Sequence, residues 1–463
     1  MNRKILFNIP ILSLFCFQLL VYAQSITIHL ENYKSGKVII YSLSGEKTER
    51  IDSVISNEDG KIFYQSDPQK FHTGFYRLTF GTNKLIDFIY DGNDIELRTD
   101  ANNVPALPAG WLDSMEVIKS ESNKIFYSFI RLNKAYKTKT DLLQLILARY
   151  PKDDEYYNQT KKRINELQSE YVQFVNITSQ ANPNSFIAKY IRSAQLPVVD
   201  ISIPLDKQLD YLKAHALDNV DFNNSLLIYS DLYSNKTIEY LTYYRNPQLP
   251  LELLEKEFMS AVDSVLNKAR VNQLVYQHIV EYLIDGFKKF GFDKVLDYIV
   301  ENYVIKDDLC LDVKTEGLIK RRIDQAKNLK IGRVAPNIIL PDSSGKIVAL
   351  NKIRSDKTLI VFYASWCPHC KELLPKLNEL YRNRKEKKFE VLAISLDSKK
   401  EDWLEFIKTY CSSLTNVSDL KGWDGEAAAN YFIYATPTMF MVDRDLKIIG
   451  KPMTLEDVNK LFD

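Results

Sequence analysis

Leu359-Ile360-Val361-Phe362-Tyr363-Ala364-Ser365-Trp366-Cys367-Pro368-His369-Cys370 is the stretch on which the reading of this chain turns. Its first five residues are apolar without a break, as a strand covered on both faces requires. Two cysteines three residues apart follow at once, where a helix is predicted from about Pro368. Cys367 then falls near the N-cap and Cys370 inside the first turn. Unpaired backbone N–H groups and the helix dipole favour a thiolate at Cys367, and the thiolate is the nucleophile of disulfide exchange. Attack on a substrate disulfide gives a mixed disulfide, which Cys370 resolves. The same spacing occurs in half of a zinc site, but that needs two more ligands. No second Cys-x-x-Cys exists, and the other histidines are scattered. A purely structural disulfide is the remaining bland alternative. The expectation is therefore a redox pair, with no metal and no small-molecule cofactor beyond the Cys367–Cys370 disulfide itself.

Around this stretch, residues 331–463 alternate strand and helix. Residues 348–350 close a hairpin turned by Asp342-Ser343-Ser344-Gly345. Residues 391–395 form a second buried strand, and 401–411 a helix with Trp403, Phe406 and Ile407 on one side. Residues 439–442 and 447–449 bracket Asp443-Arg444-Asp445 as an antiparallel hairpin. This pattern predicts a mixed α/β sheet with helices on its faces. Upstream, over 112–330, the period is helical: Leu251, Leu254, Phe258, Val262 and Val265 share one face, and Val275, Ile279, Leu283 and Phe287 another. Pro151, Pro183, Pro247 and Pro250 punctuate eight to ten predicted helices. His215 and His278 are lone histidines there, expected to be structural or solvent-facing. The 382–388 charge run reads as a solvated helix end.

Residues 24–111 read as β structure. Ile26, Ile28 and Leu30 alternate with polar residues, as do Tyr76, Leu78 and Phe80, and Ile86, Phe88 and Tyr90. Turn signals at Ser44-Gly45, 57–60, 81–83 and 91–94 separate six or seven strands, predicting a small antiparallel β-sandwich. Residues 104–110 then read as a linker. The expected fold is multidomain: β-sandwich, central all-α region, C-terminal α/β domain.

Residues 1–23 carry Arg3 and Lys4, an apolar run over 11–22, and Val21-Tyr22-Ala23. They read as a secretory signal peptide cleaved before Gln24; an uncleaved membrane anchor is the alternative, with Asn8 and Pro10 interrupting its run. The expected location is the periplasm or cell envelope. Among the 463 residues are 61 basic and 60 acidic side chains, a net charge of +1, which argues against a nucleic-acid partner. The five cysteines are Cys16, Cys310, Cys367, Cys370 and Cys411. Four in a large exported chain do not make a disulfide-stapled scaffold. Cys310 and Cys411 read as plain buried thiols, with a bridge between them as the alternative.

The segment from Gly332 onward resembles the thioredoxin-like family of TlpA, ResA and related periplasmic disulfide reductases. The resemblance rests on Ala335-Pro336, on 342–346, on 362–370 with its Trp366-Cys367-Pro368-His369-Cys370 core, on Pro375, and on Thr436-Pro437. It implies that the Thr436–Pro437 bond is cis, that Pro437 faces the cysteine pair, and that it helps position the substrate backbone. It implies protein thiol and disulfide substrates, apocytochrome c among them, and a membrane electron donor of the DsbD or CcdA kind. More weakly, 51–53, 59–62 and 74–78 resemble the β domain that precedes redox domains in Bacteroidetes envelope proteins.

Two positions depart from the family. Thioredoxin has a buried Asp six residues before the first cysteine, where Val361 stands. ResA-like proteins often have a Glu three residues after the second cysteine, where Leu373 stands. Glu372 is one residue early, and about 100° around the helix, so it is expected in solvent. The Pro368-His369 dipeptide is similar to that of DsbA, a strong oxidant whose potential lies roughly 150 mV above thioredoxin's. The fold thus points to a reductase and the dipeptide to an oxidase or isomerase. A partner-binding envelope protein with an accessory redox domain is the reading from outside enzymology.

Overall fold

The computed structural model describes residues 24–104, 114–307, 309, 311, 317–384 and 389–462. The signal segment with Cys16, the linker residues 105–110, Cys310 and residues 385–388 of the charge run lie outside these residues. The chain divides into two compact units, Met1–Tyr282 and Leu283–Asp463. Among the described residues no helix is long and apolar enough to cross a membrane.

The first unit opens with strands β1 (Ser25–Glu31), β2 (Lys37–Ser44), β3 (Lys47–Ile55), β4 (Lys61–Gln65), β5 (Gly74–Phe80), β6 (Lys84–Tyr90), β7 (Ile95–Asp100) and β8 (Glu116–Lys119). They form two four-stranded sheets, ordered β4-β1-β7-β8 and β3-β2-β5-β6. The alternating residues 26, 28, 30, 76, 78, 80, 86, 88 and 90 are all buried, so the period-two reading placed the faces correctly. The turns fall on the expected residues, with Gly45, Gly60 and Gly81 at φ of 62°, 74° and 54°, where a Cβ would be strained. Two expectations need correction. The β region is not antiparallel throughout, because β1 runs parallel to β7 from Ile26↔Ile95 to Glu31↔Asp100. Alternation reports which face a residue occupies, not which way the neighbouring strand runs. The β region also extends past residue 111, because β8 pairs with β7; at four residues β8 is too short to show a period.

Seven helices follow: α1 (Glu121–Arg149), α2 (Glu155–Ala181), α3 (Phe186–Ala194), α4 (Leu205–His215), α5 (Leu232–Thr242), α6 (Leu251–Ala269) and α7 (Gln273–Phe290), the last crossing the division between the units. Side-chain caps start four of them, at Ser120, Asp154, Ser185 and Asn272.

The second unit continues with α8 (Asp293–Ile299) and α9 (Gly317–Asn328), then β9 (Ile339–Pro341), β10 (Ile347–Ala349), β11 (Lys357–Tyr363), α10 (Pro368–Arg384), β12 (Phe389–Ser395), α11 (Lys400–Phe406), β13 (Thr415–Val417), α12 (Glu426–Asn430), β14 (Thr438–Asp443), β15 (Ile448–Gly450) and α13 (Leu455–Lys460). Five strands form one sheet, β13-β12-β11-β14-β15. β11 is parallel to β12 and antiparallel to β14, and from Thr358 onward it is wholly buried. Helix gives way to strand between α9 and β9, near residue 330, but the unit that contains β11 begins at Leu283. α8 and α9 therefore belong to it: Arg322 and Gln325 of α9 are buried and bonded within this unit. Helical periodicity shows that a face is buried, not what buries it.

Candidate active site

Central β11 delivers the chain to its carboxyl end at Tyr363, where sites of open α/β sheets are built. The Tyr363 carbonyl accepts from Leu396 N–H at 2.8 Å, and the Ala364 carbonyl from Cys367 N–H at 3.2 Å. The chain then turns directly into α10. Pro368 is its first residue, where a missing N–H costs nothing. Cys367 occupies the N-cap. Its sulfur accepts from Cys370 N–H at 3.4 Å, the bond a capping Ser or Asp oxygen would take from the third helical residue. A thiolate in that position is held by a backbone donor and by the helix terminus together.

The antiparallel register Phe362↔Thr438 brings the residues before β14 alongside those after β11. Thr436 thereby reaches the pair: the Cys367 thiol donates to its carbonyl at 3.2 Å. The Thr436–Pro437 bond is cis, as the resemblance implied. Cys367, Cys370, Thr436 and Pro437 are thus assembled from two separate segments of the chain. Both cysteines are free thiols and buried, Cys367 at 4% exposure and Cys370 at 0%. Burial pushes the Cys370 thiol strongly upward. The two sulfurs thus differ in setting: Cys367 keeps a small exposure at the helix start, while Cys370 lies fully buried behind it.

The remaining predicted residues line the rim. Trp366 is 55% exposed, and its ring lies 6.2 Å from that of Trp423. Pro368 and His369 are exposed. Val361 is buried in the sheet and Leu373 packs against the core, so neither family carboxylate position carries a proton-handling group. Glu372 points to solvent, as expected. It pairs with Lys376 at 3.0 Å, and that ammonium holds its carboxyl below the usual range. Cys411 is a buried free thiol, pushed up to about 12 by burial.

One residue beside the site was not anticipated. Asp397 is 2% exposed, just past the end of β12. It accepts from Ser365 N–H at 3.1 Å, from the Ser365 hydroxyl at 2.7 Å and from the Ser395 hydroxyl at 2.6 Å. A buried carboxylate is thereby satisfied entirely by neutral donors, one residue pair away from Cys367. The available signal was the Ser395-Leu396-Asp397 sequence at the carboxyl end of a buried parallel strand.

The AhpC/TSA family profile matches residues 331–451. ResA, the thiol-disulfide oxidoreductase of Bacillus thuringiensis subsp. konkukian, is 32% identical over 123 residues, which are 27% of this chain and 69% of that protein. ResA of Bacillus subtilis is 25% identical over 123 residues, covering 27% and 67% respectively. Among solved structures, a thiol-disulfide oxidoreductase from Bacteroides fragilis is 30% identical, with 28% of this chain and 97% of that chain covered and a TM-score of 0.27.

Proposed function

The chain belongs, through its C-terminal domain, to the ResA-like thioredoxin-family thiol-disulfide oxidoreductases, and we propose that it is an exported member that reduces disulfides of envelope proteins through Cys367 and Cys370. The observation that carries this is the reactive geometry. The Cys367 sulfur sits in the N-cap of α10 against the Thr436 carbonyl, with the fully buried Cys370, its thiol pushed upward by burial, behind it.

In the forward direction the Cys367 thiolate attacks one sulfur of a substrate disulfide. The Cys367–substrate bond forms and the substrate S–S bond breaks, releasing the first substrate thiolate. Cys370 then loses its proton and attacks the Cys367 sulfur. The mixed disulfide breaks, the second substrate thiolate leaves, and the protein holds the Cys367–Cys370 disulfide. Two electrons and two protons pass to the substrate. No cofactor takes part. Renewed turnover in an oxidising compartment requires a membrane electron donor, for which DsbD- or CcdA-like proteins are the fitting class. Apocytochrome c is a fitting substrate, given the ResA relatives. Residues 1–23 supply export, and the two N-terminal sheets, taken as a sandwich, supply surface for partners.

Pro368-His369 supports the reverse assignment, an oxidase or isomerase, because a donor or positive charge beside Cys367 stabilises the dithiol form. Equilibration of the full chain with glutathione decides between them. A reductase gives a potential at or below about −200 mV, whereas a value near −120 mV assigns oxidation instead. Replacing His369 by Ala and repeating the titration tests whether this side chain sets the value; loss of its influence shifts the potential to the more reducing side.

A further inference from the structure

We propose that α9, a helix outside the thioredoxin-like sheet and its covering helices, holds the substrate-reading loop in place, with Arg322 and Gln325 as positioning residues. This rests on the disulfide-exchange reading above.

The loop is the 423–437 segment. It carries Trp423, which stands beside Trp366, and it ends at Thr436 and cis Pro437 beside Cys367. An extended substrate lying across Cys367 must therefore run along it. Its regular structure is limited to the end of a single 3-10 turn at Gly422–Asp424 and the five residues of α12, and Phe432 sits at a φ of 48°. Ala427, Ala428, Tyr431 and Ile433 anchor it in the core, and the Tyr431 hydroxyl donates to the Pro336 carbonyl at 2.6 Å; the backbone carbonyls flanking α12 still need donors from another element.

The ties come from one face of α9. Gln325 Nε2 donates to the carbonyls of Tyr431 at 2.9 Å and Phe432 at 3.3 Å. Arg321 Nη1 donates to those of Trp423 at 3.4 Å and Ile433 at 3.3 Å. Arg322, 6% exposed, donates to Asp297 Oδ1 at 2.7 Å and to Asp293 Oδ1 at 2.8 Å, and its guanidinium lies 4.0 Å over the Tyr434 ring. The Tyr434 hydroxyl closes the cluster by donating to Asp297 Oδ1 at 2.8 Å. Residues 321, 322 and 325 are neighbours on a helix surface. Together they fix the loop at 423, 431, 432, 433 and 434, on both sides of α12 and up to two residues before Thr436. None of these bonds reaches the 364–370 segment. A brace of this form governs how an extended substrate is seated and leaves the intrinsic chemistry of Cys367 alone; a buried ion pair that served only stability would affect both or neither.

The test uses the full chain with two disulfides: insulin, which must lie along the loop, reduced in turnover with excess dithiothreitol as the electron source, and the small aromatic disulfide DTNB, which needs only Cys367, added to the prereduced chain in a single turnover after the reductant is removed. The variants are Arg322→Lys, which keeps the charge but loses the fork and the stacking, and Gln325→Met, which removes the donors at similar volume and leaves the Arg322 cluster intact. The expected result is a KM for insulin raised about tenfold, the size of one lost charge-assisted or buried hydrogen bond. The DTNB rate, the kcat for insulin and the reduction potential stay within about twofold of the parent, below the 1.4 kcal/mol that makes a tenfold change. If insulin and DTNB rates fall together in both variants, the cluster is structural only and the proposal is wrong. An unchanged insulin KM in both overturns it equally. Should Arg322→Lys fail to fold by circular dichroism, Gln325→Met decides alone. A parent chain that reduces neither compound sinks the disulfide-exchange reading, and the brace with it. A parent that reduces both, with variants of unchanged KM, sinks the brace only.

Discussion

Cys367 and Cys370 are the same residue type in opposite settings. One sulfur caps a helix; the other is fully buried, and its thiol is held protonated by burial. Iodoacetamide added to the reduced chain near neutral pH is therefore expected to modify Cys367 and spare Cys370, as peptide mass mapping reports. Cys367→Ser abolishes exchange, whereas Cys370→Ser traps mixed disulfides with substrates; equal labelling of both thiols would contradict this division of roles. Asp397 makes a second residue-scale case. Asp397→Ala leaves the Ser365 N–H and hydroxyl and the Ser395 hydroxyl without their acceptor. The cost is about 2–4 kcal/mol in urea denaturation, since buried unpaired groups carry about 1–3 kcal/mol each with partial relaxation. A loss under about 0.5 kcal/mol, the range of an ordinary surface change, would show that the carboxylate is dispensable. The cysteine pair was legible in the sequence because its geometry is local: two residues, one helix start. Asp397 was not, because its link to Ser365 spans 32 residues and is created only when β12 pairs with β11.

At the scale of elements, period and turn chemistry located most strands and helices, while pairing direction and edge protection escaped the sequence. β6 shows why. It is an edge strand of the β3-β2-β5-β6 sheet, and an edge exposes unpaired N–H and C=O groups that attract further strands. α1 covers it, chiefly through one side chain. Asn123, fully buried, accepts from Ile89 N–H at 2.8 Å through Oδ1 and donates to the Ile89 carbonyl at 2.7 Å through Nδ2. The carboxamide thus supplies the donor–acceptor pair of a missing strand. Nearby, the Tyr127 hydroxyl donates to the Asp87 carbonyl at 2.7 Å. In the sequence, Asn123 is only a polar residue near a helix start, since its meaning depends on where α1 lies. Asn123→Leu keeps the volume and removes both bonds. The expected destabilisation is about 2–4 kcal/mol by chemical denaturation, from two buried backbone groups left unpaired. A neutral substitution would mean that water satisfies Ile89 instead.

For the whole molecule, the sequence showed three kinds of structure in the right order but not the grouping of α8 and α9 with the thiol-bearing unit, because grouping depends on contacts between distant segments. The division into two units yields a prediction about acid. In the first unit His278 is largely buried, its Nε2 has no hydrogen-bond partner, and burial with the nearby Lys47 charge holds its pKa at about 4, below the ordinary 6.5. A depressed folded-state pKa means that the neutral form is the one the fold accepts. Stability from this group is therefore fully present above pH 6.5 and is lost as pH falls toward 4, because the unfolded chain takes up the proton first. The loss is at most about 3 kcal/mol, at 1.36 kcal/mol for each pKa unit. The buried Asp231 carboxyl, raised by burial, acts in the opposite sense, so the measurement must be a difference. Urea unfolding of the parent and of His278→Gln, followed at pH 7, 6, 5 and 4, should give curves that diverge in slope through this window, with the variant flatter. Far-ultraviolet circular dichroism is weighted toward the first unit, which holds the long helices α1, α2 and α6, while fluorescence reports chiefly on the second, which holds Trp366, Trp403 and Trp423 out of four tryptophans. The expected difference is confined to the dichroism transition. Parallel slopes for parent and variant would show that His278 is protonated in the fold after all, and a difference in the fluorescence transition would place its influence in the wrong unit.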